Sequence, residues 1–366
     1  MKRIVFLHPV IFEQFSGGAE LQIYYLAKVF RELGWKVYYI AIDHGVVIIN
    51  TEGEINLLKK ISLRKTLGSL RFIYGTRILK LLKRIDPDII YTRGYSSWAG
   101  IASKYSKSAK SYHFMSIASD NDVDKHVNMK LLIRPFDFIE SLYVNYAFRF
   151  ASKIFVQNGY QEASIKRLYN RNSILLPQIY GDELKEPDYS VKENLTVLWI
   201  ANMKLSKQPE LFIELASRFT IRDKIKFIMI GRLDKRLSSL INKAHKEFPH
   251  FKYVGELPNY DVNNYLANAD VLVNTSKFEG FSNTFIQAWL NATVVLSMNS
   301  NPDEVIVKNK LGFMCPEVRD IEAALKILRK NPKKLIEMKR QAYNYAKRKH
   351  TIKGNINILK EAFNVQ

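Results

Sequence analysis

The sequence predicts an α/β protein of two doubly wound, Rossmann-like domains facing a cleft. Three observations predict it. The chain has 366 residues, which suits two domains of the usual ~100–200 residues. Short apolar runs such as 4–7 and 35–42, the latter interrupted only by Lys36, alternate with stretches of helical period, and Val/Ile/Leu-rich strands belong to parallel sheets covered on both faces. The alternation restarts in the second half, so each half builds its own sheet.

The elements follow in order. A strand at 4–7 leads through a loop ending in Gly17-Gly18 to a helix with Leu21, Tyr25, Val29 and Leu33 on one face. Gly34 stops that helix, and 35–42 is the next strand. Further strands are expected at 89–91 and 154–156. In the second half they are expected at 196–200, 225–230, 252–254, 271–274 and 294–297, with Pro209 in the first turn of an intervening helix. The polar stretch 180–194 is the expected join. This gives an acceptor-side N-terminal domain at 1–185 and a donor domain at 186–345. A C-terminal helix at 346–366 is expected to pack back on the first domain.

Composition excludes several classes. Apolar residues make up 47% and charged residues 25%, too apolar for a disordered chain. The lone Cys315 allows no intramolecular disulfide and no zinc cluster, and a reducing, cytoplasmic setting is expected. The first apolar run is too short for a signal peptide. No run reaches the ~18 apolar residues of a membrane span. The net charge is +21, and both halves are basic, which favours anionic partners such as phosphorylated ligands, an acidic membrane or nucleic acid.

In open α/β sheets, ligands bind beyond the carboxyl ends of the strands. The most informative segment there is the strand 271–274 followed by Glu279, Gly280, Phe281, Ser282, Asn283, Thr284 and Phe285. Ser282 or Asn283 can cap the following helix, whose free N–H groups and dipole suit a diphosphate. Gly280 allows close backbone approach. Glu279 would repel phosphate, so it suits hydroxyl groups of a sugar instead. An ordinary capped turn would have the same local pattern.

This segment resembles the E-x7-E region of retaining glycosyltransferases of family four, which have the GT-B fold. Other segments match in the same order: Gly17-Gly18-Ala19-Glu20 resembles the glycine-rich loop, Asp86-Pro87-Asp88-Ile89-Ile90-Tyr91 a strand entry, and Tyr112-His113 a histidine after a strand. Ala201-Asn202 through Lys207 resembles a G-R-x4-K turn, and Phe313 to Pro316 a late turn. Two positions depart from the pattern. The second glutamate is Gln287, which cannot accept from both ribose hydroxyls as a carboxylate does. The arginine before the lysine is Asn202, which removes a cation that Lys204 or Arg232 could replace.

The resemblance implies roles. Lys207 would stabilise the departing nucleoside diphosphate, Glu279 would orient the sugar, and Gln287 the ribose. The backbone at Phe281, Ser282, Asn283 and Thr284 would hold the diphosphate, with Gly17 and Gly18 approaching it from the first domain. His113, expected at a strand end facing the cleft, would contact the transferred sugar or its phosphate. His8 is a weaker candidate of the same kind.

The implied protein is a metal-independent glycosyltransferase of hexosyl type without cofactor. It takes a nucleotide-sugar donor and a glycan or lipid-linked acceptor, in bacterial surface polysaccharide (lipopolysaccharide or capsule) biosynthesis. The acids Asp120, Asp122 and Asp124 lack a calcium-loop pattern, with Lys125 and Leu131 where glycine and glutamate would stand. They are expected in a solvated or acceptor-contacting loop. The stretch 59–84, with Lys59, Lys60, Arg64, Lys65, Arg71, Arg77, Lys80, Lys83 and Arg84 among apolar residues, suits an anionic membrane surface at the inner face of the cell membrane. The aromatic stretch 130–150, which starts at Lys130, is a second candidate. Two rival readings are a non-catalytic partner that kept the fold and, from charge alone, a nucleic-acid-binding protein. The aromatics lack a single-strand stacking platform, so no nucleic-acid partner is expected.

Overall fold

The computed structural model describes residues 1–15, 17–48, 52–61, 70–124, 135–181, 186–190 and 192–364. The chain forms two compact units, Met1–Ile179 with Ile356–Gln366, and Tyr180–Asn355.

In the first unit the strands are β1 (Arg3–Leu7), β2 (Lys36–Ile42), β3 (Glu54–Leu58), β4 (Ile89–Arg93), β5 (Tyr112–Ser116), β6 (Lys153–Val156) and β7 (Ile174–Leu175). They pair in parallel in the order β3-β2-β1-β4-β5-β6-β7. The order reverses between β1 and β4, so the helices leave these two strands on opposite faces and open a crevice at their carboxyl ends. Both faces are covered, which is why β1 and β4 read as unbroken apolar runs. The motif before β4 is structural: the Arg3 backbone N–H donates to Asp88 at 2.7 Å, and the Arg3 side chain pairs with Asp86 at 3.1 Å.

The second unit holds β8 (Leu195–Ile200), β9 (Ile225–Ile230), β10 (Phe251–Gly255), β11 (Val271–Asn274), β12 (Val294–Ser297) and β13 (Gly312–Met314). They are parallel in the order β10-β9-β8-β11-β12-β13. Its reversal lies between β8 and β11. Their amino ends are pinned by a buried ion pair: Lys339 Nζ lies 2.9 Å from Asp270, which also accepts the Thr196 N–H at 2.9 Å.

The unit boundaries differ from the expected 185/186 and 345/346. Tyr180 already belongs to the second unit, because its N–H donates to the His350 carbonyl at 2.6 Å and its carbonyl accepts from Ile352. The helix Ile352–Phe363 therefore begins in one unit and ends in the other. Phe363 is buried in the first unit among Phe30, Tyr91, Phe114 and Phe155. Burying one such ring is worth about 1.5–3 kcal/mol.

Two surface expectations change. Within the basic stretch, Arg64 and Lys65 lie outside the described residues, as does Lys130 with the start of the aromatic stretch. In the helix Gly75–Ile85, Ile78, Leu82 and Ile85 face the unit's own core, and Arg77, Lys80, Lys83 and Arg84 are exposed. Its apolar face is thus occupied and cannot enter a bilayer; only the cationic face is presented. No helix among the described residues is long and apolar enough to cross a membrane. Of the acids 120–124, Asp124 is exposed and Asp120 half-buried, while Asp122 departs from the expected solvated loop. Asp122 is buried and accepts the N–H groups of Ala118 and Ser119 at 3.0 and 3.1 Å. Asp120 accepts from Gln161 at 2.8 Å, and Asp124 from the Tyr160 hydroxyl at 2.7 Å.

Candidate active site

The second unit brings Lys207 and Glu279 together at the carboxyl ends of β8 and β11, where its strand order reverses. After β8 the chain turns through Asn202 and Lys204 to Lys207. Gln208 sits in the left-handed region at φ 46°, and Pro209 then opens the helix Pro209–Ser217. This turn is held from β11. The Thr275 hydroxyl donates to the Lys207 carbonyl at 2.6 Å and accepts from the buried Trp199 indole at 2.9 Å. The Lys277 N–H donates to the Ser206 carbonyl at 2.8 Å. Two loops distant in sequence are thereby fixed side by side.

Their side chains meet. Lys207 Nζ forms an ion pair with Glu279, and the Ser276 hydroxyl donates to the same carboxylate at 2.8 Å. The Lys207 and Glu279 side chains retain 25% and 16% exposure, so the pair is reachable by a ligand and only partly screened by water. The next residues enter the helix Asn283–Leu290. Ser282 occupies the N-cap position, yet its side chain makes no capping bond; its hydroxyl pairs instead with that of Thr284 at 2.8 Å. An anion at this helix start would therefore meet no competing side-chain cap, and the dipole favours it. Gly280 is buried, and Phe281 is half-buried against Trp289 and His350.

Gln287 lies one turn deeper and is only 5% exposed. Its amide nitrogen donates to Asn259 at 2.5 Å and to the Tyr180 hydroxyl at 3.0 Å. Asn263, one turn on from Asn259, also donates to Tyr180, at 3.0 Å. The amide nitrogen is thus committed to the protein, and a ribose could be met only by the carbonyl oxygen. Gln287→Glu would set a carboxylate oxygen against the Asn259 acceptor. It is expected to lower stability by about 1–3 kcal/mol, read as a fall in the denaturation midpoint. An unchanged midpoint would show that these donors do not matter.

The cations expected to replace the missing arginine are placed differently. Lys204 is exposed, and its carbonyl accepts the Lys207 N–H at 2.8 Å. Arg232 directly follows Gly231, and its carbonyl accepts from Met203 at 3.1 Å. That closeness requires glycine at 231: φ is 149°, and a Cβ there would run into the Ala201 carbonyl. Arg232 is therefore beside Asn202 by backbone contact, while its exposed side chain lies 3.9 Å from Glu256.

In the first unit Gly17 and Gly18 begin the helix Gly18–Glu32, with Gly17 at the N-cap. The Glu20 carboxylate folds back against Gly17, so an acid of the chain's own lies where a phosphate was expected.

The placement expected for His113 is corrected. It is the second residue of β5, at the amino end of the strand, and is 0% exposed. Nε2 is 2.8 Å from the Thr92 hydroxyl and Nδ1 is 2.7 Å from that of Ser103. Burial pushes its pKa down to about 3. The ring is a neutral, fully bonded core group, and it has no face toward the carboxyl ends of the strands. His8 follows β1 at its carboxyl end. Its pKa is also lowered, mainly by burial.

Sequence reasoning missed Thr275 and Ser276, which build the pair's environment. Their signal was available, as polar residues directly after an apolar strand. Tyr180, 107 residues from Gln287, carried no local signal.

Comparison with known proteins agrees with this geometry. Residues 182–349 match the model of the family Glycosyl transferases group 1. Among curated protein sequences none matches the chain. Solved structures share the whole fold. Sucrose-phosphate synthase from Thermosynechococcus elongatus superposes with a TM-score of 0.80 at 14% identity, covering 100% of this chain and 98% of that one. Anabaena HepE, solved in complex with UDP and glucose, superposes with a TM-score of 0.75 at 15% identity, covering 100% of both chains. WaaG, a glycosyltransferase involved in lipopolysaccharide biosynthesis, superposes with a TM-score of 0.74 at 14% identity, covering 98% and 99%. The chain thus has the GT-B glycosyltransferase fold, two parallel-sheet Rossmann-like halves, and its second half carries the match to glycosyl transferases group 1.

Proposed function

We propose that this protein is a glycosyltransferase that moves a sugar from a nucleoside-diphosphate donor to a hydroxyl of a glycan or lipid-linked acceptor, with retention at the anomeric carbon. The observation that carries this reading is the Lys207–Glu279 pair beside a helix start with no side-chain cap, at the strand-order reversal of the unit that matches the family. When the donor binds, the diphosphate takes over Lys207 and the helix N–H groups. Glu279, released from the lysine, accepts hydrogen bonds from sugar hydroxyls. As the glycosidic bond to phosphate breaks, negative charge grows on the leaving diphosphate, and Lys207 stabilises that growth more than it stabilised the ground state. The donor phosphate, rather than a side chain, takes up the acceptor proton, and the step uses no metal. Among the similar structures, HepE was solved with UDP and glucose and WaaG acts in lipopolysaccharide biosynthesis. These support a uridine nucleotide as the first donor to try and a bacterial surface glycan as the product. The exposed Arg77, Lys80, Lys83 and Arg84 would hold the protein electrostatically at an anionic inner membrane face.

The reading is tested with nucleoside diphosphates and their sugars in a thermal-shift panel. A ligand present at 100 times its Kd adds about 2.7 kcal/mol to stability, and at least one nucleotide should raise the melting temperature by several degrees. A panel with no shift for any nucleotide would sink the proposal. The rival non-catalytic reading draws on the internal engagement of Gln287. It predicts binding without sugar transfer or donor hydrolysis, which the same panel followed by a product assay decides.

A further inference from the structure

The first unit has its own strand-order reversal, and the side chains there are not those of a nucleotide site. β1 and β4 pair side by side as far as Phe6 and Tyr91; His8 follows β1, and Arg93 is the last residue of β4. Arg93 is only 6% exposed. Its Nη1 donates to the Ser116 hydroxyl at 2.9 Å and to the Tyr91 hydroxyl at 3.4 Å. Nε is buried without a hydrogen-bond partner. The Nε–Nη2 edge is the fork that grips an oxyanion with two parallel bonds.

No carboxylate pairs with this guanidinium among the described residues. The undescribed stretches of this unit (16, 49–51, 62–69, 125–134 and 365–366) contain no Asp or Glu to supply one. Two neutral hydroxyls do not offset the desolvation of a buried cation. A charge held at such a loss, at the place where ligands of these sheets bind, awaits a ligand.

The unpaired guanidinium selects its sign. Arg71, held by its bond to the Tyr95 carbonyl at 2.9 Å, and Arg93 both act on His8, opposed by Glu20. Glu140 also acts on Arg71, so Arg71 has a carboxylate near it, and Arg93 is the cation without a paired one among the described residues. Gly94, at φ 78°, follows Arg93.

We infer that Arg93 forms a phosphate-binding subsite at the carboxyl ends of β1 and β4, and that it takes a phosphate group carried by the acceptor. This rests on the glycosyltransferase reading for the word acceptor, while the subsite itself does not. The acceptor class is then a phosphorylated sugar or a lipid-linked sugar phosphate, bound by the unit that does not hold the nucleotide.

The test uses the full chain and inorganic phosphate, followed by 31P NMR with and without saturating UDP, so that the Lys207 site is occupied in one arm. Arg93→Gln is expected to weaken phosphate binding at least tenfold and leave UDP affinity within twofold. Lys207→Ala is expected to do the reverse. Arg93→Lys, which keeps the charge but loses the fork, should fall between wild type and Arg93→Gln. Removing a buried, unpaired charge should not destabilise the protein, so Arg93→Met should melt at or above the wild-type temperature.

Phosphate binding unchanged in Arg93→Gln would overturn the inference. So would acetate binding as tightly as phosphate, UDP affinity lost together with phosphate, or a large fall in melting temperature for Arg93→Met. The last result would make Arg93 a structural cation. If UDP fails to bind wild type while phosphate binding still depends on Arg93, the glycosyltransferase reading fails and the subsite stands.

Discussion

Lys207→Ala is expected to lower the turnover of sugar transfer by about 10²–10³-fold, with a smaller rise in donor KM. The magnitude follows from the role. A fixed donor aimed at charge that develops in the transition state is worth about 2.7–4 kcal/mol when removed. Binding that is equal in ground and transition states would move KM alone. Stability should change little, because the pair with Glu279 is partly exposed and such pairs are worth about 0–1 kcal/mol. Glu279→Ala should damage turnover as well, because sugar hydroxyls lose their acceptor and Lys207 loses the partner that holds it in place. Since the two residues act as one unit, the double variant should be barely worse than the poorer single variant. Wild-type turnover in both single variants, measured by nucleotide release with a glycan acceptor, would remove the pair from the mechanism.

The second large effect lies in the first unit and concerns stability. His113→Ala should cost about 3–4 kcal/mol, the sum of a small cavity and two buried hydroxyls, Thr92 and Ser103, left without partners. Donor affinity of the folded fraction should be unchanged. The same residue sets a pH dependence. Its native pKa is pushed down to about 3 from 6.5, so below 6.5 the unfolded chain takes up a proton that the native ring refuses. Its contribution is therefore complete above pH 6.5 and is lost as pH falls toward 3, at about 1.4 kcal/mol per unit, or about 2 kcal/mol by pH 5. His113→Gln should lose this slope while keeping part of the hydrogen bonding. Loss of donor binding in folded His113→Ala at neutral pH would contradict the structural role.

Much of the fold was legible because buried parallel strands carry their own signal. The runs 225–230, 271–274 and 294–297 are strands over the same residues in the structure, since burial on both faces demands unbroken apolar side chains. β3 and β5 were not read as strands. β3 sits at a sheet edge, where one side needs no partner and half-buried residues such as Asn56 are tolerated. In β5, Tyr112 and His113 break the apolar run, which hides the start of the strand. The polarity of His113 is satisfied by Thr92 and Ser103, which come from other elements and leave no trace near position 113. The basic helix Gly75–Ile85 showed its amphipathic period in sequence, but the period alone does not say whether a core or a membrane covers the apolar face.

The site divides in the same way. The sequence by itself determined the two α/β halves, the loop after β11 with Glu279 and Gly280, and Lys207 after β8, because strand ends and turn chemistry are local. Only the tertiary structure decided that Lys207 and Glu279 touch across 72 residues, that Gln287 spends its amide on Asn259 and Tyr180, and that His113 is core. It also exposed Arg93 as a buried cation with no carboxylate paired to it among the described residues. The physical reason is common to all four: a side chain's role depends on which groups surround it once water is excluded, and those groups come from distant parts of the chain.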